Sequence, residues 1–140
     1  MKKTVFIFSF LSISIIFSLV SWSCAAGGSV KAYLGQEFTL PVGKTASIES
    51  ESLSVKFVDV ISDSRCPEGV VCVWAGEAQC RLHFTVSGSP AEMVVVQPGG
   101  GADARDYFIQ YKIVFRLEPY PQEGQTIAPT DYRLVMTVTK

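Results

Sequence analysis

Cys66, Cys72, Cys80 and His83, the chain's one histidine, crowd into one short segment, and these are the side chains from which thiolate metal sites and disulfides are built. Spacing divides them. Cys66 and Cys72 flank the turn-forming Pro67-Glu68-Gly69, close enough to be bridged. Strand alternation sends Cys80 and His83 to opposite faces, so they cannot readily share an ion, and a single histidine cannot supply the two imidazoles of a blue-copper centre. No Cys-x-x-Cys pair opens a helix, so no redox centre, metal or cofactor is assigned. The expectation is a structural Cys66–Cys72 bridge contributing about 2 kcal/mol through the unfolded chain. Cys80, beside Leu82 and Phe84, reads as a buried, inert thiol. Pairing of Cys80 with Cys66, Cys72 or Cys24 stays open, because sequence does not fix connectivity.

Other chemistry fades on inspection. Gly43-Lys44-Thr45 matches the end of a phosphate-binding loop, but Phe38 stands where that motif requires glycine and no helix is predicted to follow. Asp63 and Glu68 lack the spaced carboxylates of a calcium loop. Nucleophilic catalysis needs a base, and His83 falls on a solvent face without an acid or serine partner. No catalytic residue is assigned, and the protein is not expected to be an enzyme.

Arg65, Trp74 and Tyr120 are the candidate interaction residues, since aromatic and Arg side chains contribute disproportionately at interfaces. Trp74 directly follows the cysteine loop; it is expected to pack over the bridge, with an exposed contact as the alternative. Tyr120, between Pro119 and Pro121, is expected to be exposed. A rival use of the segment is inhibition: a bridge-rigidified Ser64-Arg65-Cys66-Pro67 loop would present Arg65 to a trypsin-like protease at little ordering cost.

The elements that hold these residues follow a period of two. From Glu77 to Val86, Ala78, Cys80, Leu82, Phe84 and Val86 alternate with Glu77, Gln79, Arg81, His83 and Thr85. Tyr111, Ile113, Phe115 and Leu117 repeat the pattern, as do Tyr132, Leu134, Met136 and Val138. Leu53, Val55 and Phe57 begin another strand whose apolar side shifts to Val58 and Val60, which a bulge or a change of sheet would explain. Shorter strands are expected at Glu37–Leu40, Thr45–Ile48, Met93–Gln97 and Tyr107–Gln110. Turn chemistry separates them at Pro41-Val42-Gly43-Lys44, Ser87-Gly88-Ser89-Pro90, a Gly99–Gly101 hairpin tip and the Pro119–Gly124 stretch. About seven or eight short strands and no amphipathic helix indicate an all-β fold, an antiparallel sandwich or small barrel.

Lys2 and Lys3, the apolar run Thr4 to Val20, and the small residues Ser21, Ser23, Cys24, Ala25 and Ala26 have the order of a secretory signal peptide. Residues 1–23 are read as that leader, with cleavage extending as far as 26, residues 24–35 as a tether, and residues 36–140 as one domain. An uncleaved anchor is the alternative. Cys24 offers lipidation in place of ordinary cleavage after Ser23, Ala25 or Ala26, although Ser21 occupies the position where a lipobox has Leu. Without Lys2 and Lys3, 10 basic residues stand against 13 acidic, a net charge of −3 that argues against nucleic acid and anionic membrane surfaces as partners. The sequence contains no Asn, which excludes N-glycosylation.

The segment Asp63-Ser64-Arg65-Cys66-Pro67, with Gly69, Cys72, Trp74-Ala75-Gly76 and Ala78, resembles one shared by small, mostly uncharacterised bacterial exported proteins and lipoproteins. The resemblance implies export across the bacterial inner membrane and a β domain, periplasmic, membrane-anchored or secreted, and brings no activity with it. Taken with the residues, it leads to a non-catalytic envelope module binding an unknown protein or small ligand, with inhibitor and metal or redox accessory roles as alternatives.

Overall fold

Alternation of large apolar and polar side chains buries one face of each strand and leaves the other to water, and two such sheets bury both apolar faces at once. The computed structural model describes residues 28–140 and shows this arrangement. Among the described residues nine strands occur: β1 (Val30–Tyr33), β2 (Glu37–Pro41), β3 (Thr45–Glu49), β4 (Leu53–Asp63), β5 (Glu77–Val86), β6 (Ser89–Pro98), β7 (Ala104–Phe108), β8 (Tyr111–Glu118) and β9 (Arg133–Thr139). A five-stranded sheet in the order β1-β3-β4-β5-β6 stacks on a four-stranded sheet in the order β2-β9-β8-β7. With two separate sheets the fold is a sandwich rather than a barrel. All pairings are antiparallel except β1 with β3.

The core is the set that alternation selects. Phe57, Leu82, Phe84, Ile113, Phe115, Leu134 and Met136 are all essentially inaccessible, each contributing about 1.5–3 kcal/mol by leaving water. Cys80 is a free thiol fully buried among them, and burial pushes its pKa up to about 12. The predicted irregularity in β4 is present as register shifts between Phe57 and Asp59 and between Val60 and Ser62. These shifts set Asp63 opposite the buried Ala78, so a carboxylate occupies a core-facing position at the strand's end.

Three local expectations are corrected. Val30–Tyr33, assigned to the tether, pairs with β3 as an edge strand. Ile109 and Gln110, read as strand, form the β7–β8 turn, where Ile109 adopts φ 55°; a β-branched residue carries no turn signal, so hydropathy misled. Gly99–Gly101 is not a hairpin tip but begins the crossover from β6 to β7, which lie in different sheets. The leader and Cys24 lie outside the described residues. No helix among the described residues is long and apolar enough to cross a membrane.

Topology gathers the long connections at one end. The β4–β5 loop, the β6–β7 crossover and the β8–β9 connection, with its one-turn 3-10 helix at Pro129–Asp131, all meet there. Tight turns close the opposite end, where Phe84 and Phe108 stack with ring centroids 4.3 Å apart.

Candidate interaction site

The β4–β5 loop begins as a continuation of its ladder. Ser64 N donates to Glu77 O at 2.8 Å and Cys66 N to Ala75 O at 2.8 Å, so both limbs stay paired beyond the strands. Such close approach excludes side chains. A Cβ on Gly76 would lie 1.8 Å from Ser64 O, and one on Gly99 would lie 1.9 Å from Ala75 O. Gly99 N in turn donates to Gly76 O at 2.8 Å, which ties the crossover to the loop.

Arg65 lies under this junction with its side chain fully buried. Its Nε and Nη2 donate to the two Asp63 carboxylate oxygens at 2.8 and 2.6 Å, a bidentate pairing. Nη1 reaches Leu117 O at 2.7 Å and Nη2 also reaches Pro119 O at 3.1 Å, which joins the two sheets. The guanidinium stacks 4.9 Å from the centroid of the Tyr120 ring. Tyr132 Oη donates to Asp63 Oδ2 at 3.1 Å. Burial alone would raise the Asp63 pKa, but the hydrogen bonds and charge of Arg65, helped by Tyr132, outweigh it and hold the carboxyl below its ordinary value. For Tyr132, burial followed by the Asp63 charge pushes the phenol up to about 12.

Gln97 completes the base of the loop. Buried at the end of β6, it accepts from Leu117 N and donates through Nε2 to Ala102 O at 3.1 Å. Tyr120 Oη accepts from Gly100 N at 3.0 Å. Farther out, Glu68 N donates to Pro121 O at 2.9 Å and Gln122 Nε2 to the Glu68 carboxylate at 2.8 Å, which fastens the first limb to the β8–β9 connection. Shallow clefts of about 270 and 310 Å³ flank the hub, one against Asp63, Arg65 and Tyr132 and the other against Cys66 and Tyr120.

The Cys66–Cys72 disulfide is formed, as expected, with Cα atoms 6.0 Å apart. Beyond it the chemistry inverts. Val71 is 100% exposed, Val73 92% and Trp74 83%, with Val70 at 41%. From Gly69 to Gly76 no residue carries a charge, and the Trp74 indole is the only side-chain N–H. An uncharged apolar tip therefore stands on a base of fully engaged polar groups.

The sequence-derived site residues separate accordingly. Trp74 does not pack over the bridge but is 83% exposed to solvent. Arg65 is no recognition side chain: its guanidinium is spent inside the fold, and a trypsin-like protease could not reach it, which removes the inhibitor reading. Tyr120 is half-buried between Arg65 and Gly100 rather than free. The disulfide sulfurs of Cys66 and Cys72 are not thiolate ligands, and His83, on the outer face opposite to Cys80, pairs with Glu92 at 2.8 Å. Among the described residues no group of three His, Cys, Asp or Glu could hold a metal ion.

The chain matches no known protein family, no curated protein and no solved structure. Sequence reasoning missed Asp63, Gln97 and Tyr132. A signal for them was present: Asp63 and Gln97 are polar residues paired on either side of the buried Ala78, and Tyr132 heads the alternation that continues at Leu134, Met136 and Val138.

Proposed function

We propose that this chain is an exported, non-catalytic β-sandwich of the bacterial envelope that contacts its partner through the apolar tip Val70–Trp74, which the Cys66–Cys72 bridge closes in part. The observation that carries the reading is the near-complete exposure of Val71, Val73 and Trp74 on a loop whose base is pinned by the buried Arg65. Leaving three adjacent large apolar side chains in water is costly, and contiguous exposure of this kind marks contact surfaces. Preorganisation supports the same reading, since the bridge and the base reduce the ordering cost of binding. A binding role rather than catalysis is supported by the polar groups at this end, which spend their hydrogen bonds on one another.

The test is photocrosslinking in intact cells. A photoreactive residue at position 74 is expected to form adducts, whereas the same residue at position 87, in the opposite-end turn, is not. Equal labelling at both positions, or none at 74, would contradict the proposal.

A further inference from the structure

The geometry points to a specific occupant for the tip: we infer that Val71, Val73 and Trp74 dock into the zwitterionic lipid–water interface of the membrane beside which the exported chain is held. The inference rests on the contact-surface reading above and names its partner. Three observations favour lipid over protein. First, the composition of the tip fits lipid: valines for the acyl boundary, one indole for the headgroup level, and neither charge nor any other side-chain donor. Protein contacts normally add polar and Arg groups around their apolar centre. Second, the tip projects outward. Val71 is 100% exposed and Val73 92%, and such a projection is suited to entering a soft interface.

The third observation is the direction of β1. β1 runs parallel to β3 and opposite to β4, so residues preceding Val30 lead toward the end that bears the stapled loop. Register places Val30 level with Val55, and because the two β4 bulges match the stretch Val55–Asp63 to only Phe84–Ala78 on β5, the rise from there to Asp63 is about 20 Å. Residues 24–29 reach at most about 20 Å. An acylated Cys24, or an apolar leader left in place, would therefore have the reach to hold the membrane at the base of the loop, on the side that bears the tip. The net charge of −3 after the leader lysines makes this docking apolar rather than electrostatic.

Trp74 is its own probe once Trp22 is replaced by Phe, because the chain has only these two tryptophans. The experiment uses the exported protein, with Trp22→Phe present wherever the leader is retained, mixed with phosphatidylcholine vesicles whose acyl chains are brominated close to the headgroup. Trp74 emission is expected to shift to the blue and to be quenched, and Val71→Asp, or Val73→Asp should the first variant misfold, to raise the lipid concentration for half-quenching about tenfold or more. Emission that is the same with and without vesicles overturns the inference. Peptide adducts at position 74 in cells, combined with unquenched emission on vesicles, overturn lipid as the occupant while leaving the contact surface standing. Absence of both adducts and quenching overturns the two together.

Discussion

The base and the tip of the β4–β5 loop are a few residues apart in sequence and opposite in every physical respect. At the base, the most polar side chain of the loop, Arg65, is buried and makes four hydrogen bonds through its guanidinium. At the tip, its largest apolar side chain, Trp74, is 83% exposed. A buried cation with every partner in place rigidifies because each partner left behind would be unsatisfied, whereas an exposed aromatic is open to another surface. The difference assigns stability to the base and contact to the tip.

The largest expected effect comes from breaking the base. Arg65→Met strands the Asp63 charge and two carbonyls, and is expected to destabilise the fold by about 3–5 kcal/mol. Urea unfolding of this variant, with Asp63→Asn alone and with both changes, measures the coupling; additive losses would mean that the pair does not act as a unit. Next in size is the bridge. Cys66→Ser with Cys72→Ser should cost about 2 kcal/mol, acting through the unfolded chain, and the same unfolding curves report it.

Acid sharpens the comparison further. Because the Asp63 carboxyl is held low in the folded state, its contribution is complete above the ordinary carboxylate pKa of about 4 and is lost as pH falls through the lowered folded value. Stability followed from pH 6 downward should drop in the wild type and drop less steeply in Asp63→Asn. The smallest effect belongs to the tip: Trp74→Ala or Val71→Asp should leave the unfolding midpoint within about 0.5 kcal/mol of wild type. A loss comparable to that of Arg65→Met would erase the division between base and tip.

Strand architecture was legible in the sequence because alternation is a local, repeated signal. Glu77–Val86 and Tyr111–Glu118 form strands over the stretches that their side chains mark out, and the shift at Val58 predicted the irregularity in β4. The disulfide was legible from turn chemistry and spacing. The roles of Arg65 and Trp74 were not, because hydropathy ranks Arg as exposed and Trp as buried. Reversing that order for Arg65 took contacts from distant sequence, Leu117 O and Pro119 O. β1 escaped notice because four residues with one buried side chain carry almost no periodicity.

Trp74 fluorescence in the free Trp22→Phe protein, recorded folded and in urea, tests the separation of base from tip most directly. An indole already in water should emit at nearly the same wavelength in both states and be quenched by acrylamide almost as readily before unfolding as after it. A folded-state emission well to the blue, moving red on unfolding, would place the ring against the bridge and contradict an open tip.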